Sequence, residues 1–178
     1  MRKEKTIIYI IGIALVAGFA ALIVFKGGSN DSGAITYSTS ELLVVKNITP
    51  GQENQLSDWD FGTISMKNGK AAHVFELKND GDESIKIKEI YTSCMCTTAS
   101  VTDDSGKKYG PFGMQGHELN LKTSIEVRPD ETVELEVVFD PSAHGPSGTG
   151  KVKRIIYVET NSQTKPKIQL TFEADVTK

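Results

Sequence analysis

Thr132-Val133-Glu134-Leu135-Glu136-Val137-Val138-Phe139-Asp140 is the stretch that decides the fold. Val133, Leu135, Val137 and Phe139 recur with a period of two, and Glu134 and Glu136 fill intervening positions. Successive side chains of an extended chain point to opposite faces, so the run buries one face and wets the other. A helix would scatter the same apolar residues around its axis. The run predicts one strand of an antiparallel sheet packed against a second layer.

The same period extends outward along the chain. Ile168, Leu170, Phe172, Ala174 and Val176 share one face near the C-terminus, and His73, Phe75 and Leu77 oppose Val74, Glu76 and Lys78 in the middle. Ile85 and Ile87 are followed by Ile90, an alternation that slips at Glu89 and Ile90 as it does at a β-bulge. Residues 152–159 also read as a strand. Turn signals separate the runs: Asn79-Asp80-Gly81-Asp82, Asp103-Asp104-Ser105-Gly106, Arg128-Pro129-Asp130-Glu131 and the loop 141–150. Seven to nine short strands at this spacing predict an all-β, immunoglobulin-like β-sandwich.

The N-terminus reads differently. Arg2, Lys3 and Lys5 precede an uncharged apolar stretch, residues 7–25. At about 1.5 Å per residue such a stretch crosses the roughly 30 Å hydrocarbon layer. Basic residues before the span, with only Lys26 directly after it, place the N-terminus in the cytoplasm and the rest of the chain outside. A cleaved signal peptide would have a shorter apolar region and a small-x-small site, which Leu22-Ile23-Val24-Phe25 does not provide. The expected organisation is a cytoplasmic tip and transmembrane anchor over 1–26, a glycine- and serine-rich flexible linker over 27–37, and one sandwich domain over 38–178. The protein is thus expected in the cell membrane, single-pass, with an extracytoplasmic C-terminal domain.

Charge narrows the partners. Twenty basic against 23 acidic residues give a net charge of −3 over 178 residues. No basic surplus is available for a phosphate backbone, which argues against nucleic acid. Gly145-Pro146-Ser147-Gly148-Thr149-Gly150-Lys151 imitates a phosphate-binding loop, but Val152 stands where a hydroxyl should hold magnesium, and a strand rather than a helix follows. Nucleotide is therefore not an expected ligand. No serine, histidine and acid fall into a recognisable triad, and no enzyme is expected.

Several ordered motifs resemble a family. Trp59-Asp60-Phe61-Gly62-Thr63-Ile64, Phe75-Glu76-Leu77-Lys78-Asn79-Asp80-Gly81, Ile90-Tyr91-Thr92-Ser93-Cys94-Met95-Cys96-Thr97, Arg128-Pro129-Asp130-Glu131, Val138-Phe139-Asp140 and Thr160-Asn161 are similar to those of a bacterial family of unknown function. Its members look like Hydin-type, major-sperm-protein-like immunoglobulin domains. The resemblance covers about residues 58–176 and implies a fold and an extracytoplasmic location, with no reaction attached. Two departures stand out: Met95 where the family more often has glycine, and an insertion over residues 101–122.

Cys94 and Cys96 are the only cysteines. On an extended strand residues i and i+2 share a face, bringing the two sulfurs together while Met95 points away. Two thiolates so placed suit a soft ion, copper(I) or zinc, and His117, Met114 and His144 are the candidates to complete the ligand set. The alternatives are that the thiols pack as small apolar groups, bridge each other, or link to another protein; a redox-catalytic pair is not expected, because the usual C-x-x-C spacing near a βαβ pattern is missing. Trp59 reads as a core or rim anchor, His73 as a core residue with a hydrogen-bond partner, and the acidic pairs Asp103-Asp104 and Asp130-Glu131 as solvated turn residues. Two functions follow as expectations: a tethered module that binds or assembles with another envelope protein, or a copper- or zinc-handling protein that uses Cys94 and Cys96.

Overall fold

The computed structural model of the chain describes residues 42–46, 57–117 and 121–178, all within one compact unit, Ser38–Lys178. The expected anchor and linker lie outside the described residues. Among those described, no helix is long and apolar enough to cross a membrane.

The described chain is a two-sheet, immunoglobulin-like β-sandwich. Ten strands are formed: β1 (Leu42–Lys46), β2 (Asp58–Ser65), β3 (Ala71–Asn79), β4 (Ile85–Thr92), β5 (Thr97–Thr102), β6 (Lys108–Phe112), β7 (Lys122–Val127), β8 (Thr132–Phe139), β9 (Gly150–Thr160) and β10 (Lys167–Thr177). One sheet runs β1-β3-β8-β5-β6 and the other β2-β10-β9-β4-β7. Neighbours are antiparallel except β2 and β10, which pair in parallel. The short strands β1, β6 and β7 sit at sheet edges, and β1 and β6 carry little alternation, so the ten strands exceed the seven to nine expected from sequence.

Alternation places the core where the sequence predicts it. Val133, Leu135, Val137 and Phe139 of β8 are buried, as are Ile168, Leu170, Phe172, Ala174 and Val176 of β10. Each larger side chain removed from water contributes about 2 kcal/mol, and the two inward faces together form a single cluster. In β4 the register shifts between Ile87 and Glu89 against both β7 and β9. That extra residue resets the phase, so Ile90 rather than Glu89 turns inward.

Asn79, read from sequence as a turn residue, is fully buried at the end of β3. Its Nδ2 donates to the carbonyls of Glu83 (2.8 Å) and Val127 (3.0 Å), and its Oδ1 accepts from Gly81 N–H (3.1 Å). Val127 belongs to the opposite sheet, so this amide ties the two layers together. Asp103 is likewise more than a solvated turn carboxylate. It accepts hydrogen bonds from Ser105, Lys107 and Tyr109, and these donors, Ser105 foremost, hold its pKa below the ordinary carboxylate value. The expected insertion over residues 101–122 is mostly this β5–β6 hairpin and a return segment whose Gly113 carbonyl accepts from Thr92 N–H.

His73 departs from expectation. Its Nε2 has no hydrogen-bond partner, and neither does Nε1 of Trp59. The two rings stack with centroids 3.8 Å apart and planes nearly parallel, and His73 and Phe75 meet edge to face. With its ring packed between aromatics rather than hydrogen-bonded, burial pulls its pKa down to about 4.

Candidate functional site

β4 belongs to one sheet and β5 to the other, so the four residues joining them, Ser93-Cys94-Met95-Cys96, form a corner that carries the chain between layers. This corrects the expectation of an extended strand. The two sulfurs approach because the backbone turns: Thr97 N–H donates to the Cys94 carbonyl at 3.1 Å. Thr92 Oγ1, buried, lies 2.9 Å from the Cys94 carbonyl and 3.0 Å from that of Thr97, and its single proton serves both. Met95 is left at the apex, 56% exposed.

Both sheets hold the corner. Ser93 N–H donates to the Ile155 carbonyl (2.9 Å), and Ile155 N–H donates back to Ser93 Oγ (2.9 Å), fixing the turn to β9. Asp140 N–H donates to the Cys96 carbonyl (2.8 Å), fixing it to the end of β8. Cys94 and Cys96 are joined as a disulfide.

Two further side chains converge on the sulfurs. His144 Nε2 lies 3.2 Å from Cys94 Sγ. The loop after β8 puts it there: Ser142 caps Asp140 through its N–H and hydroxyl, Gly145 N–H closes on the Ser142 carbonyl at 2.8 Å, and Ser147 Oγ donates to the His144 carbonyl. Gly148 lies close beneath it, and a Cβ there would stand 3.1 Å from the Cβ of His144, a tight contact that would press on the loop. From the other side Arg154 Nε donates to Cys96 Sγ at 3.2 Å, and its Nη1 to the Lys153 carbonyl. Arg154 shares the inward face of β9 with buried Ile156 and Val158, and this burial lowers the pKa of its guanidinium from the ordinary value.

Cys94, Cys96 and His144 offer ligand atoms that all lie within 4.8 Å of one another. Of the residues expected to complete a metal set, His144 is the one whose ring meets a cysteine sulfur. Met114 arrives nearby through its backbone, which bridges to Thr92 in parallel. His117 is exposed on the same return segment, its N–H donating to the Met114 carbonyl. Arg154 was not among the expected residues, although the run Val152, Arg154, Ile156, Val158 already marks it as an inward-facing charge.

The fold and the corner define an immunoglobulin-like β domain with a cysteine pair at a sheet-to-sheet crossing. Residues 52–110, which include that pair, match a family model described as Protein of unknown function (DUF1573). None of the curated proteins matches the chain. Among solved structures, a protein of unknown function from Porphyromonas gingivalis W83 is similar with a TM-score of 0.51 and 16% identity, over 82% of this chain and 51% of that one. This chain thus spans about half the length of the Porphyromonas protein. The ASH/PapD-like domain 7 of human CEP192 aligns with a TM-score of 0.43 and 13% identity, over 80% of this chain and 87% of that domain.

Proposed function

We propose that the chain is a membrane-tethered, extracytoplasmic binding or assembly module of the Hydin-type immunoglobulin kind, and that it engages another envelope protein at the cysteine corner. The observation that carries this reading is Met95, over half exposed at the apex of a turn pinned to both sheets. An apolar, adaptable side chain presented on a rigid frame can fit a partner's pocket while the backbone that carries it is already ordered. Met95→Asp in the full chain tests it. Capture of the partner from the native envelope is expected to fall at least tenfold with the unfolding midpoint unchanged, and undiminished capture would exclude the corner as the contact.

The three converging ligand atoms favour a second reading, in which the reduced corner holds copper(I). Two thiolates and one copper(I) carry a net charge of −1, which the guanidinium of Arg154 offsets. The same thiolates with zinc and a neutral imidazole are already neutral and leave Arg154 uncompensated beside sulfur. Titration of the reduced full chain against a competing chelator should show one copper(I) per chain, lost in Cys94→Ser and Cys96→Ser, with zinc held more weakly. Binding no greater than in those variants would eliminate this reading.

A further inference from the structure

The corner is chemically asymmetric, and we propose that Cys94–Cys96 is a thiol–disulfide exchange pair in which Cys94 is the sulfur attacked and Cys96 the sulfur that leaves. The inference goes beyond partner docking and depends neither on the tether nor on copper(I).

Access separates the two sulfurs. Cys96 is 3% exposed and Cys94 only partly covered, beside the exposed apex. An incoming thiolate must align with the S–S bond from the side of the sulfur it attacks, and the open side is that of Cys94. The environment of the leaving sulfur points the same way. Arg154 Nε–H is directed at Cys96 Sγ from an inward position. A disulfide sulfur is a weak acceptor, whereas a thiolate is a full anionic partner, so this contact strengthens as the bond breaks. On the attacked side His144 Nε2, 3.2 Å from Cys94 Sγ, is placed to accept the proton of the incoming thiol. The hydrogen bonds from Ser93, Ile155 and Asp140 do not involve sulfur, so opening the S–S bond removes none of them, and the contact within the corner that does involve sulfur is Cys96 N–H to Cys94 Sγ at 3.3 Å.

The exchange balances as follows. A substrate thiol gives its proton to His144 and its sulfur bonds to Cys94 Sγ, while the Cys94–Cys96 bond breaks and Cys96 departs as a thiolate paired with Arg154. A second thiol of the same substrate then attacks the substrate sulfur of this mixed disulfide. Cys94 leaves with the electron pair and takes the proton back from His144, and the second thiol's proton passes to Cys96. Two electrons and two protons have moved from a dithiol to the corner, and the reverse sequence returns them, re-forming the Cys94–Cys96 bond and reducing a partner's disulfide to its two thiols. The substrate class is a protein or peptide with two cysteines that can pair with each other.

The test uses the full oxidised chain with a dithiol peptide, the products being alkylated and weighed. Arg154→Gln is expected to slow reduction about tenfold through the poorer leaving group, with Arg154→Lys recovering most of the loss. Because Arg154 is partly buried, the exposed His144→Ala gives a second reading that does not risk the fold, and it should also slow the first step severalfold. With glutathione disulfide, reduced Cys96→Ser should form a mixed disulfide at Cys94 while Cys94→Ser stays largely unmodified at Cys96. Equal modification of the two sulfurs, or rates that neither Arg154→Gln nor His144→Ala changes, would overturn the proposal.

Discussion

Replacing Asn79 with aspartate changes a single side-chain group from amide nitrogen to carboxylate oxygen, with almost no change in volume. In the native fold that nitrogen donates to the carbonyls of Glu83 and Val127, the latter across the sandwich, and the side chain is fully buried. Aspartate keeps the bond from Gly81 N–H but turns both donations into oxygen–oxygen repulsions and buries a charge or forces its protonation. Alanine loses all three bonds and leaves the Val127 carbonyl short of a partner. Lost bonds at about 1 kcal/mol each, plus desolvation of the orphaned carbonyl, put Asn79→Ala at about 3 to 4 kcal/mol, and Asn79→Asp at least as high at neutral pH. Trp59 is the single tryptophan, so its fluorescence during urea unfolding reports the sandwich directly, with the midpoint shift read at constant slope. If packing volume rather than hydrogen bonding matters at this site, Asn79→Asp will be much milder than Asn79→Ala. A cost below about 1 kcal/mol for the aspartate would refute the account of Asn79 as an inter-sheet tie.

Other perturbations have equally definite outcomes. His73 has its pKa lowered to about 4 in the fold from 6.5, so the unfolded chain binds a proton first as pH falls and stability is lost between about 6.5 and 4. After discounting for the ring's partial exposure the loss is about 1 to 2 kcal/mol, and urea midpoints compared across this window should show it vanish in His73→Phe. Thr92→Val keeps the shape of a buried residue but removes the hydroxyl that serves Cys94 and Thr97. It should cost about 1 to 2 kcal/mol in the same unfolding assay and raise proteolytic cutting at the corner. Gly110 has a φ of 109° and would bring a Cβ to 3.0 Å from the Ala99 carbonyl. Gly110→Ala should therefore destabilise by at least about 2 kcal/mol and loosen the β5–β6 hairpin, seen as faster amide exchange there.

Much of the frame could be read directly from the residues. β8 and β10 are long, strictly alternating and buried on one face, and even the slip at Glu89 and Ile90 in β4 marked its bulge correctly. β6 could not be read this way, because Lys108-Tyr109-Gly110-Pro111-Phe112 carries no apolar period and its place depends on pairing with β5. The cysteines were visible as a pair, but i and i+2 approach each other on a strand and in a turn alike. Which one forms is decided by the need to cross between sheets, a property of topology rather than of the tripeptide. The choice of His144 over His117 is likewise made by the end of β8, which brings its loop against the corner. Arg154 is legible in the sequence: a charge in phase with Val152, Ile156 and Val158 must face inward, and an inward arginine calls for a partner. Asn79 was masked by its own chemistry, since Asn-Asp-Gly reads as a turn whether or not the asparagine is buried.

The central claim is that this domain meets its partner at the cysteine corner, and position-specific crosslinking in the native envelope tests it most directly. A photoreactive residue at position 95 is compared with one at position 74, where Val74 is also exposed (41%) but lies on β3. The account predicts a discrete crosslinked product from position 95 that is absent from position 74 and lost when Cys94 and Cys96 are both changed to serine. Equal products from the two positions, or a product from position 74 alone, would contradict it.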